Sequence, residues 1–174
     1  MTKKIRSVSN TCIIMLVCIG INYMGKVLAA DWHLPLWMDS IGTGMSACLL
    51  GPFFGALCGA TNNILYGMRN VTSYAYAFTS VAIAIVMGIC MRRHMIRDWF
   101  GVFTTSALVS AVAVIVSTPF NLIFFQGYNG NLWGDALFDM FRYYRIPVVI
   151  ASGLSELLVD FPDKVVTVCI IFGI

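Results

Sequence analysis

The sequence predicts an all-α fold: a polytopic membrane protein with a single integral membrane domain over residues 1–174, arranged as a six-transmembrane-helix bundle with both termini cytoplasmic. Three observations predict it. First, 59% of the residues are hydrophobic and only 11% are charged, and the mean hydropathy is +0.84. A soluble domain carries about 25% charged residues, so this chain lacks the polar groups to cover its outside, and lipid is its natural solvent. Second, the apolar segments are long runs rather than alternations of about ten residues, which selects helices over a closed barrel. Third, basic and acidic residues fall in separate loops, in an order that assigns the loops to sides.

The first span is expected over Val8 to Ala30. It follows Lys3, Lys4 and Arg6, a positive start that a signal peptide also shows. Thr11 to Leu28 is long for a signal core, and Lys26 and Asp31 leave no clear cleavage site, so the run reads as a retained span. Asp31-Trp32-His33-Leu34-Pro35 follows, a loop with interfacial aromatics. A second apolar stretch runs from Leu36 to Tyr66 and contains Gly51-Pro52. As one kinked helix it would put the amino-terminal basic residues and the cluster Arg92, Arg93 and Arg97 on opposite sides. As two helices, Leu36 to Leu50 and Pro52 to Met68, each about 23–26 Å long, it puts both clusters inside. Asp31, Asp39, Asp135 and Asp139 then face outside, as the positive-inside rule requires. Pro52 also suits the first turn of a helix. The sequence therefore predicts a turn.

Further spans are expected over Thr72 to Met91, Phe100 to Phe125 and Ile146 to Ile174, with a polar, glycine-rich link from Gln126 to Gly134. Gly51, Gly55, Gly59, Asn63 and Gly67 recur on one face and predict close helix packing. Asn62 and Asn63 either bond a neighbouring helix or line a wet cavity, because unpaired amides are costly in hydrocarbon. The six cysteines form no CxxC pair and mostly lie in apolar runs, where they read as small hydrophobes rather than metal ligands or a disulfide framework.

Enzyme signatures are missing from the sequence: no Walker loop, HExxH or GxSxG occurs. No enzymatic activity and no cofactor or metal are expected, and the basic residues are too scattered for nucleic acid. Polar residues and aromatics instead gather from three loops at the expected outer end. The candidate substrate-binding set is Trp32, His33, Asp39, Asn62, Asn63, Tyr66, Trp133, Asp139, Arg145 and Glu156, a composition suited to a small polar molecule. Glu156, Asp160, Asp163 and Lys164 share one helical sector. Ionisable groups at membrane depth mark function, but Asp160 and Lys164 also fit an i,i+4 ion pair, with Lys26 as a further partner. Pro162 is expected to kink this helix beside Asp160.

The segment PLWMDSIGTGMSACLLGPFFGALCGATNNILYG resembles the pattern LP-hydrophobic-D-S/T-IGT … LLGPxxGA-hydrophobic-x-G of substrate-binding S components of energy-coupling factor (ECF) transporters. SELLVDFPDKVVTV resembles their ELLVDxxDK segment. The resemblance implies a six-helix, multi-pass protein of the cell membrane that captures a vitamin or similar micronutrient from outside. It further implies docking onto a transmembrane T component driven by two cytoplasmic ATPase subunits. The family often docks through AxxxA on span one. Here Gly25 and Ala29 are the nearest small pair. The sequence alone leaves two other functions open, a ligand-sensing regulatory module and a stand-alone small carrier.

Overall fold

The computed structural model describes residues 8–173. The elements are α1 (Val8–Asp31), α2 (Ile41–Leu49), α3 (Pro52–Gly67), a 3-10 turn (Val71–Tyr74), α4 (Ala77–Arg92), α5 (Trp99–Phe125), α6 (Leu132–Tyr143) and α7 (Val148–Phe172). All regular structure among the described residues is helical. Two helices among them, α1 and α5, are long and apolar enough to cross a membrane, and most of each lies at the protein surface. The expectations resting on Lys3, Lys4 and Arg6 lie outside the described residues.

The chain does reverse at Gly51. Its φ of +108° and ψ of 165° are open to glycine and strained for other residues. Pro52 opens α3 at its first position. The two helices then run back antiparallel. Gly55 packs against Ala47, and Gly59 against Thr43, at separations that leave no room for a Cβ on α3. The glycine stripe is thus packing surface. Its remaining polar member, Asn63, turns to Ser80 of α4.

α2 differs from expectation. It starts at Ile41, not Leu36, and has 9 residues, a rise of about 13 Å. Residues 32–40 are non-helical. Pro35 removes one backbone donor, and Met38 takes a φ of +52°. Such irregular backbone is tolerated inside a bundle only if its polar groups find partners. They do. Asp163 of α7 accepts from Trp37 N at 3.1 Å and Met38 N at 2.7 Å. Asn22 of α1 accepts from Gly42 N at 2.6 Å, taking a free donor of the first turn of α2. Gly25 lets α1 approach the carbonyl of Met38.

The second difference is α6, where the sequence reading foresaw only a polar link. Asn131 caps it, accepting from Trp133 N at 3.0 Å and Gly134 N at 3.3 Å. α6 packs on α7 and buries Phe138 against Gly127 and Tyr128, while most of its polar side chains stay exposed. α7 runs unbroken through Pro162.

The bundle has two unlike ends. An apolar core of Ala47, Ile83, Met87, Val102, Val109 and Val168 fills the end that carries Gly51 and Arg92. Val8 and Phe172 lie at this same end, since α1 leads away from it and the Phe172 ring meets Trp99 at a tilt, with centroids 5.5 Å apart. The opposite end is polar inside. Asn22, Asn62, Asn63, Ser80, Ser117, Asn121 and Glu156 are all buried. Meanwhile Leu16 is 69% exposed and Ile115 71%. A polar interior beneath an apolar coat is the reverse of the usual soluble arrangement.

Candidate functional site

Two connected spaces occupy the polar end. The outer one is a cavity of about 340 Å³, within the range of small-molecule pockets, roughly 300–1,000 Å³. Three chain segments surround it. The end of α1 and its loop contribute Lys26, His33 and Trp37, and the region after α3 contributes Tyr66, Asn70 and Tyr76. The stretch leading into α6 contributes Asn129, Asn131 and Asp135. Two bonds tie the first and third segments across the mouth. Trp133 Nε1 donates to the carbonyl of His33 at 2.8 Å, and Asn131 Nδ2 to that of Leu34 at 3.2 Å.

The inner space is a chamber of about 40 Å³ lined by Asp39, Thr79, Ser80, Glu156, Asp160 and Lys164 among others. Lys26, Trp37 and Tyr76 line both spaces. Trp37 and Tyr76 have ring centroids 6.3 Å apart, and Tyr76 stacks on Phe125 at 6.1 Å. The Tyr76 hydroxyl bonds Asn121 Oδ1 at 2.6 Å, and Asn121 Nδ2 donates to Glu156. An aromatic partition is therefore wired to the acid beneath it.

Each buried ammonium is held by several acceptors, as burial demands. Lys26 donates to Asn63 Oδ1 at 2.7 Å, Ser73 Oγ at 2.9 Å and Asp39 Oδ2 at 3.1 Å. Lys164 donates to Asp160 and Asp163, each at 2.7 Å. The i,i+4 pair exists as expected, but Lys26 serves Asp39 rather than the α7 acids. Asp39, in the non-helical 32–40 segment, is thus drawn into the network by Lys26, with its side chain 15% exposed.

Of the candidate set, His33, Tyr66, Asp39 and Glu156 line the two spaces. Lys26 lies 5.0 Å over the Tyr66 ring. The other six do not line them. Asn63 is a hub inside the helices. It bonds Lys26 and Ser80 and accepts from Ser73 at 2.7 Å. Asn62 is fully buried with no hydrogen-bond partner among the described residues. Trp32 is 69% exposed, beyond the mouth. Trp133 contributes its bond to His33 but not a wall. Asp139 is exposed and bonds the Tyr128 hydroxyl at 2.7 Å. Arg145 is exposed in the turn between α6 and α7, with a φ of +60°. The bond to Asp139 raises the Tyr128 phenol. Burial raises the Asp135 carboxyl, against the pull of N–H bonds from Asn129 and Gly130.

The sequence pointed to Trp37 only as one of the aromatics around the mouth, gave Lys26 only an ion-pairing role and did not point to Tyr76. The available signal was a tyrosine just before an apolar run, together with a lysine inside one. Neither identifies a wall until the chain is folded. Gly25 and Ala29 also face inward, so they offer no docking surface.

No protein family, no curated protein and no solved structure matches the chain.

Proposed function

We propose that this protein is the membrane-embedded substrate-capture subunit of an ECF-type importer for a vitamin or related small micronutrient. In this reading α1, the irregular 32–40 segment with α2, then α3, α4, α5 and α7 make six crossings, with both termini cytoplasmic. α6 lies along the outer surface. The carrying observation is the roughly 340 Å³ cavity enclosed by three separate segments at the polar end of the bundle. The broken second crossing supports it, since membrane proteins place irregular backbone beside cavities and binding sites. The apolar coat and the residue pattern of the PLWMDSIGT and ELLVD segments support it as well.

In mechanism, a solute would enter between the loops joined by Trp133 and Asn131. Aromatic walls at Tyr66, Trp37 and Tyr76 would stack on it, and Asn129, Asn131 and Asp135 would orient it by hydrogen bonds. Affinity comes from shape and desolvation in a largely preformed pocket. Energy for release would come from the partner T component and ATPases.

The test is native mass spectrometry of gently extracted protein, together with co-purification. A retained small molecule, and association with a T component and two ATPases, is the expected result. Uptake by this chain alone in liposomes would instead make it a carrier, and co-purification with a kinase or cyclase would make it a sensor. Cysteine labelling in intact cells tests the orientation. Positions flanking Arg92 and Arg93 should be unreachable from outside, and labelling there would overturn the six-span arrangement.

A further inference from the structure

The inner chamber has a charge imbalance that its own residues leave unmet. Besides the Tyr76 phenol, the ionisable groups facing it come from α1, the 32–40 segment and α7: Lys26, Asp39, Glu156, Asp160 and Lys164. Asp163 stands directly behind Lys164. That makes four carboxylates against two ammonium groups. Lys164 is shared by Asp160 and Asp163, and Lys26 is held by Asp39. Glu156 is left with neutral partners, the Asn121 amide and the neighbouring Ser117 hydroxyl. Uncompensated buried carboxylates are costly.

A second observation is independent of the charges. Asp160 Oδ2 and Thr79 Oγ1 have no hydrogen-bond partner among the described residues. Both residues line the chamber, and they are only 4% and 7% exposed. Ser110 Oγ lies beside Asp160 without a well-formed hydrogen bond to it. Buried acceptors without donors point to a missing donor. The chamber roof adds aromatic faces, Trp37 and Tyr76, which attract cations. Its volume of about 40 Å³ is far smaller than that of the outer cavity and suits a compact group.

We propose, on the capture reading above, that the captured molecule carries a compact protonated nitrogen. This group seats in the inner chamber against Glu156, Asp160 and Thr79, while the rest of the molecule fills the outer cavity. Lys26, which lines both spaces, selects against a second positive group at the junction. Trp37 and Tyr76 part to admit the nitrogen and close against it.

The probe is benzylammonium chloride, added to the full chain purified in detergent. Trp32, Trp99 and Trp133 are replaced by Phe, so that Trp37 alone reports. Benzyl alcohol is the neutral control, and sodium chloride at equal ionic strength is the inorganic one. Benzylammonium is expected to change Trp37 emission saturably, and to raise the melting temperature of the unsubstituted chain. Benzyl alcohol and sodium chloride are expected to do neither. Glu156→Gln, which keeps an acceptor for Asn121, should weaken benzylammonium at least tenfold. Should that variant fail to fold, Thr79→Val replaces it and should weaken the probe several-fold. Equal binding of benzyl alcohol, reproduction of the effect by sodium chloride, or unchanged affinity in the variant each overturns the proposal. A neutral or anionic cargo retained in native mass spectrometry overturns it too, yet leaves the capture function standing. Absence of both cargo and transporter partners counts against the capture function itself.

Discussion

Asp163 offers the sharpest test of how the irregular second crossing is held. Its carboxylate accepts from Trp37 N, Met38 N and Ser40 Oγ, at 3.1, 2.7 and 3.2 Å, and from Lys164 at 2.7 Å. Asp163→Ala leaves two part-buried backbone donors unmade, at about 1–3 kcal/mol each. Ser40 can turn to Thr167 Oγ1, 3.4 Å away, so its loss is small. Lys164 keeps Asp160, so breaking its second pair costs less than the about 3–5 kcal/mol of a fully broken buried pair. The total is about 4 kcal/mol or more, a large share of a typical stability of about 5–15 kcal/mol. Asp163→Asn keeps an oxygen for the two backbone donors but loses the oxygen that accepts from Lys164 and Ser40, so it should cost less than Ala by the share of the two backbone bonds. Reversible unfolding in mixed micelles measures both. The decisive quantity is the order of the variants. If Ala and Asn destabilise equally, the carboxylate matters only as a counter-ion to Lys164, and the account of the unwound segment is wrong.

Gly51→Ala should destabilise by about 1–3 kcal/mol, because the backbone there lies in a region nearly reserved for glycine; an unchanged melting temperature would contradict the tight turn. Asn62→Leu removes a fully buried amide that has no partner among the described residues, so stability in the same assay should hold or rise, by up to about 1–3 kcal/mol. A marked loss would mean that the amide is bonded. Asp135→Asn should flatten the acid side of the stability profile. Burial raises the native carboxyl of Asp135 above its ordinary value, so the folded chain binds the proton more tightly than the unfolded one. Stability is therefore greater below the ordinary carboxylate range and falls as pH rises through the raised value. The Asn variant should lose this component, and a profile identical to that of the parent would refute it.

Much of the helix plan was legible because it depends on local chemistry. Val8 and Asp31 were found to within a residue by hydropathy. Gly51-Pro52 announced its turn because glycine alone tolerates that φ and proline suits the first helical position. α6 escaped because it is short and Asp135, Asp139 and Arg142 interrupt its apolar residues, whereas a membrane span is read from long uncharged runs. The start of α2 escaped for a different reason. Nothing between Leu36 and Ser40 forbids a helix locally. It is Asp163, more than a hundred residues away, that captures the amides of Trp37 and Met38.

The candidate site divides along the same line. The concentration of amides, acids and aromatics near one end follows from composition and from the order of spans. Which of them face a common space does not, since that depends on rotation and depth of helices whose contacts are all long-range. Asn63 and Glu156 looked equivalent as polar residues in apolar runs. Packing turned Asn63 onto Lys26 and Ser80, making it structural, and left Glu156 at the wall of a chamber. Hydropathy and backbone chemistry act along the chain and can be read there. The pairing of Lys26 with Asp39, the shared hold on Lys164 and the partition at Trp37 and Tyr76 exist only once distant segments have met.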